Sequence, residues 1–339
     1  MAKLPPYATT GERVWKFAYL TICTLIFIFL ITPILVIIPL SFNVEPYFSF
    51  TEGMLSFDSD AYSGRWYLDI LTNGMTDPDQ PRSWSIFFDW LWRALSPFHT
   101  APPSFFTDSW ENAQWIRAMR NSFFIGFWAT IIAVTLGTLA AIGLSRSEMP
   151  ARGAIMSLLI SPLIVPLVVT ASGMFYFYST DFNPESWLFG NEDANRWILA
   201  QTHLGVILAH AALGTPFVII TVTATLVGFD NSLVRAGASM GAGPARTFWK
   251  IQMPLILPGV VSGGLFAFIT SFDEVVAALF LAGPEQKTIP RQMYSGIREQ
   301  ISPTILAVAT ILVILSILLL TTLELLRRRS ERLRGMSPA

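Results

Sequence analysis

Two adjacent carboxylates, Asp273 and Glu274, lie inside an otherwise apolar run that spans 255–281. Charge in such a run is costly and points to use. The pair can attract a cation, or it can bond an arginine of the same chain such as Arg291 or Arg298, and the sequence leaves both readings open. A second group of residues carries different chemistry, that of docking. It runs from Asp230 to Pro254 and is rich in small and basic residues. Asp230, Asn231 and Ser232 supply oxygens that accept the free N–H groups of a helix start. Gly241 permits the positive φ at which a helix stops or turns. Pro244 suits the first turn of another helix, which is expected to run through Trp249 towards Pro254. The expectation is two short helical pieces at an angle, joined at Gly241, forming a knob for a groove on a soluble partner. A third candidate is His210, which falls inside an apolar stretch and reads either as a proton relay or as a polar residue satisfied between helices.

Several chemistries are missing. No Gly-x-x-x-x-Gly-Lys-Ser/Thr occurs, so no nucleotide is held through that loop. There is no His-Glu-x-x-His and no Gly-x-Ser-x-Gly, and His99, His203 and His210 lack ligand spacing. The single cysteine, Cys23, excludes an intramolecular disulfide and a cysteine-clustered metal site. No catalytic residues, metal or nucleic-acid partner are implied. What remains is a chain that moves something across a membrane, with the energy supplied by an ion gradient or by a partner.

The elements that must position these residues are membrane helices. Of the 339 residues, 53% are hydrophobic and 13% charged, against about 25% charged in soluble domains. Six segments approach the ~20 apolar residues of a span: 17–42, 122–144, 155–178, 204–227, 255–281 and 302–323. The fold class is therefore an all-α integral membrane protein with six transmembrane helices, because only helices or closed barrels satisfy the backbone in lipid. The first segment is too long, and lacks the cleavage pattern, for a removable signal peptide. Pro162 and Pro166 in the third segment, Gly214-Thr215-Pro216 in the fourth, and Gly259 with Gly263 in the fifth are candidate flexible or close-packing points.

With both termini on one side, that side gathers thirteen Lys and Arg against five acids, and the other nine against sixteen. The basic side is expected to be cytoplasmic, anchored by Arg327-Arg328-Arg329. The domain reading is a cytoplasmic N-terminus and first span over 1–42, an extracytoplasmic tryptophan-rich loop over 43–116, a transmembrane core over 117–325 with its cytoplasmic loop at 228–254, and a basic tail over 326–339. The 43–116 loop holds six of the eleven tryptophans: Trp66, Trp84, Trp90, Trp92, Trp110 and Trp115. The stretch 84–98 has helical aromatic spacing that suits the headgroup zone. It equally suits packing over a transport path or against a soluble partner. Asp77-Pro78-Asp79-Gln80-Pro81 reads as a turn.

The docking stretch resembles the signature of ABC importer permeases, which begins Glu-Ala-Ala, has Gly four residues after the second Ala and ends Ile-x-Leu-Pro. Here those positions are Arg235-Ala236-Gly237, Gly241 and Ile251-Gln252-Met253-Pro254. The spacing is kept. Arg235 stands for Glu, Gly237 for Ala and Met253 for Leu. Ser271-Phe272-Asp273-Glu274, Gly283-Pro284-Glu285, the 289–298 stretch and Ile301-Ser302-Pro303-Thr304 resemble the spermidine/putrescine subgroup, so that the likeness covers about 117–325. The resemblance implies the type I importer permease fold and no enzymatic activity in this chain. It implies a second permease subunit as heterodimer partner, an ATPase dimer that holds ATP and Mg and docks at Arg235, Ala236, Gly237, Gly241, Ile251 and Pro254, and an extracytoplasmic substrate-binding protein. The location implied is a bacterial inner membrane, and the cargo a polyamine or related small cation, with Asp273 and Glu274 as path candidates. An amino-acid derivative, opine, thiamine or ferric ion is the alternative cargo. A gradient-driven secondary transporter is the competing class, and a membrane assembly protein a third; neither gives the cytoplasmic loop a purpose.

Overall fold

The structure is a computed structural model and describes residues 9–74, 84–85, 88, 104–146, 148–181, 197–227, 229–230, 232–299 and 302–333. Its elements are helical: α1 (Thr10–Leu40), α2 (Glu52–Leu55), α3 (Arg65–Thr72), α4 (Ser104–Asn112), α5 (Gln114–Ser145), α6 (Arg152–Ile160), α7 (Leu167–Tyr178), α8 (His203–Val227), α9 (Ser232–Ser239), α10 (Pro244–Thr247), α11 (Met253–Asp273), α12 (Val276–Leu281), α13 (Ile289–Glu299) and α14 (Thr304–Leu333). Among the described residues five helices are long and apolar enough to cross a membrane, or six if the pair Arg152–Leu163 and Leu167–Tyr178, bent by 96°, counts as one span. The bend falls between Pro162 and Pro166. Proline removes a backbone donor and pushes the preceding residue out of the helical region, so a broken span is the local outcome.

The chain divides into two compact units. In the first, α1 opens with a reciprocal cap: Glu12 N–H donates to Thr9 Oγ1 at 3.3 Å and Thr9 N–H to Glu12 Oε2 at 2.8 Å. This places the helix start at Thr10, seven residues before the apolar run begins. Its apolar side chains are exposed nearly all round, as befits a helix surrounded by lipid or other chains. Residues 43–73 fold on the far end of α1. Asn43 is fully buried; its amide donates to the carbonyls of Tyr47 and Ser49, and its own carbonyl accepts from Trp66 Nε1 at 2.7 Å. Ser41 Oγ lies 2.7 Å from Tyr67 OH, and Thr304 Oγ1, at the start of α14, donates to Asp69. Trp66 is therefore a packed, bonded residue. Trp84 donates Nε1–H to Gly64 O at 2.8 Å. Most of the aromatic stretch 84–98, and the 77–81 turn, lie outside the described residues.

In the second unit α5, α8 and α11 pack together. One cluster joins Ile125, Ala129, Val206, Ala209, Leu213, Ala277 and Leu281. Another joins Ala133, Ala141, Val218, Val222, Ile256, Val260 and Ala267. Small residues let the backbones approach, which is how membrane helices gain packing energy without a water-driven term. Gly263 is the clearest case: a Cβ there would lie 2.8 Å from Val218 Cα, so no side chain fits.

The fifth span differs from the sequence expectation at both ends. The helix continues unbroken from Pro244 to Asp273, and it stops at Glu274, whose ψ is 117°. The apolar residues up to Leu281 belong to the separate α12.

Candidate functional site

The docking stretch starts at Asp230, whose carboxylate accepts from Ser232 N–H at 2.8 Å and Ser232 Oγ–H at 2.6 Å. These bonds, with Arg235 nearby, hold the Asp230 carboxyl below the usual range. α9 then runs to Ser239 and ends in a Schellman turn. Gly241 has φ +79°. Its N–H donates to Ala238 O at 2.9 Å, and Ala242 N–H donates to Gly237 O at 3.0 Å. Two otherwise orphaned carbonyls are satisfied by that left-handed glycine. A Cβ on Gly241 would meet nothing within 4 Å, so the residue is needed for its dihedral and not for space.

Gly237 is closely packed, against the end of a flexible side chain. It is buried, and a Cβ there would lie 2.7 Å from Ile251 Cδ1. The structure thus brings Gly237 and Ile251 into contact across the turn. Buried Thr247 lies beside them. Arg235 and Ala236 point outward and are exposed, as is Pro254.

The second piece is not a free-standing helix, and the sequence expectation is corrected there. α10 begins with Pro244 after Gly243 and continues through one π turn, Phe248–Gln252, into α11. Met253 N–H donates to Phe248 O, five residues back. The cause is local. Pro254, which has no N–H to donate and whose ring crowds the carbonyl four residues back, lies two residues past this turn. The site residues Ile251 and Pro254 therefore sit on the root of the membrane helix itself.

Sequence reasoning missed the exposed side chains around this frame. Leu233 and Ala236 on α9 line up with Met240, one residue past its end; Leu233 is 43% and Met240 81% exposed. Trp249, 64% exposed, projects from the π turn. Spacing of i, i+3 and i+7 marks the stripe. It is hard to see in an eight-residue helix made mostly of small residues.

At the other end of α11 the two carboxylates separate. Asp273 is exposed. Glu274 is buried, and its Oε1 accepts from Ala277 N–H at 2.9 Å, closing the start of α12. Neither Arg291 nor Arg298 bonds them. Arg291 donates to the carbonyls of Ala282 and Gly283, and Arg298 lies over the Tyr294 ring. Two residues before Asp273, Ser271 Oγ lies 2.8 Å from Nδ1 of fully buried His210, joining α8 to α11. His210 Nε2 has no hydrogen-bond partner among the described residues. The loop after α12 is tied to α5: Arg117 pairs with Glu285 at 3.1 Å, Asn121 donates to the carbonyls of Glu285 and Lys287, and Ser122 Oγ accepts from Ile289 N–H.

Residues 133–334 match the family described as binding-protein-dependent transport system inner membrane component. The chain is 27% identical over 263 residues to the spermidine/putrescine transport system permease protein PotC of Haemophilus influenzae, covering 77% of this chain and 90% of that protein. It is 30% identical over 198 residues to the putrescine transport system permease protein PotI of Escherichia coli, covering 58% of this chain and 67% of that one. Among solved structures, a chain of a bacterial ABC transporter involved in the import of the acidic polysaccharide alginate matches with a TM-score of 0.59 at 14% identity, over 94% of this chain and 99% of that chain. At that identity the likeness concerns the fold.

Proposed function

We propose, from the premise that the chain belongs to the binding-protein-dependent transport system inner membrane components, that it is the permease subunit of an ATP-driven polyamine importer. The observation that carries the cargo is the likeness to a spermidine/putrescine permease across 90% of that relative's length. Exposed Asp273, at the end of a membrane helix, supports a cationic cargo. The partners are an ATPase dimer below, a second permease subunit alongside and a soluble binding protein outside. Both termini and the 228–254 loop face the cytoplasm, and 43–116 lies outside, in keeping with the excess of Lys and Arg on one side.

The mechanism follows from the continuous helix. ATP closes the ATPase dimer, and loaded binding protein favours the other face, so the two ligands shift one equilibrium between inward- and outward-facing states. A displacement applied to α9 passes through Gly237 and Ile251 to the π turn. From there it travels along α11 to Ser271, His210 and Asp273. No flexible linker intervenes to absorb it.

Proteoliposomes test the assignment, with the complex in the bilayer, binding protein outside and ATP inside. Labelled putrescine or spermidine should accumulate. ATP hydrolysis without accumulation of either would move the cargo to another solute. Accumulation on a proton or sodium gradient without ATP would move the chain to the secondary-transporter class.

A further inference from the structure

The docking stretch carries an unbalanced charge. Arg235, Arg246 and Lys250 are all exposed. Arg246 and Lys250 make no ion pair among the described residues. The acid of the stretch, Asp230, is spent on capping: both of its oxygens accept from Ser232. The exposed surface of the stretch thus carries three cations and one engaged carboxylate, together with the apolar side chains of Leu233, Ala236 and Met240. Arg235 lies on the side of α9 opposite buried Gly237, facing whatever covers the helix.

We propose that the ATPase groove receiving this loop combines apolar side chains with carboxylates, with an Asp or Glu opposite Arg235. The inference rests on the docking reading above and adds the chemistry of the partner. A docking surface with apolar side chains and three unbalanced cations is complementary to that groove, and like charge placed opposite those cations is strongly penalised. Anionic lipid headgroups would also attract cations. They would not need the shaped stripe of α9, held at a fixed angle by the Schellman turn, and the protein groove is the occupant favoured.

Binding of the cognate ATPase subunit to the purified permease complex in nanodiscs of neutral lipid tests this. Arg235→Lys should stay within about twofold of the parent. Arg235→Ala should weaken binding up to about fivefold, the scale of one exposed ion pair. Arg235→Glu should weaken it about tenfold or more, and the differences should shrink between about 0.05 and 0.5 M salt. An ATPase with the facing carboxylate changed to lysine should recover the Arg235→Glu chain. Lys250→Glu, on the π turn, repeats the test at a second cation if Arg235→Glu does not purify. Parent-like, salt-independent binding by Arg235→Glu, with Gly241→Val still losing the ATPase, would overturn the facing carboxylates and leave the docking reading standing. Parent-like binding by both variants would remove the docking reading as well. An Arg235→Glu defect that appears only in anionic-lipid nanodiscs would assign the cations to the membrane and overturn the proposal.

Discussion

The two ends of α11 handle polar chemistry in opposite ways. At the Pro244 end the helix runs on without a break, and its cations and its tryptophan are turned outward: Arg246, Trp249 and Lys250 are all exposed. At the Asp273 end the helix stops, and polar groups turn inward. Glu274 is buried and closes the next helix, and Ser271 bonds buried His210. One end is built to be touched and the other to hold a shape. Adjacent acids illustrate the difference within two residues, since only Asp273 faces outward.

Three experiments bear on that contrast. The largest effect is expected at Gly241. Valine there meets no neighbour, but its φ of +79° costs an L-residue about 1–2 kcal/mol or more, which tilts the two pieces. Polyamine uptake should vanish while thermal unfolding in detergent stays near the parent, because the loop lies outside the helical core. Normal uptake would show that the Pro244 end is not where force enters. Next is Glu274→Ala. Loss of a cap costs about 1–2 kcal/mol, and the Ala277 N–H is left without its acceptor in a buried place. The melting temperature should fall, with uptake falling alongside it. Glu274→Gln retains an acceptor oxygen and should lose less. Equal losses for the two would mean that charge, and not capping, is what Glu274 provides. The smallest effect is at Asp273→Asn, which should lower uptake a few-fold at low ionic strength only, with the difference closing as salt rises. A melting shift in that variant, or a defect that ignores salt, would erase the distinction between the two acids.

The sequence made the apolar segments legible because lipid demands an unbroken hydrophobic length. It made the glycine turn legible because few residues accept positive φ. The bend at Pro162 and Pro166 was signalled as a weak point, though its angle depends on what α6 and α7 pack against. The stop at Glu274 was hidden, since hydropathy continues across 255–281 and the break is fixed by a carboxylate folding back on Ala277. Local sequence marks residues 43–73 only as a loop. Their order comes from contacts distant in sequence, such as Trp66 with Asn43 and Thr304 with Asp69, which no local pattern announces. The proposed docking residues follow from spacing. The Gly237–Ile251 contact and the His210–Ser271 pair do not, because each joins residues that only folding brings near.

The π turn at Phe248–Gln252 makes chain length a constraint of its own. In an α-helix each residue advances about 1.5 Å and turns about 100°. Removing one residue from that turn would return the ladder to ordinary register and swing everything on its loop side by nearly a third of a circle about the α11 axis. The stripe of Leu233 and Met240 would then look in another direction with every side chain still present. On the docking proposal, a one-residue deletion here would change the azimuth at which the two subunits meet, which a substitution that kept the helix would not.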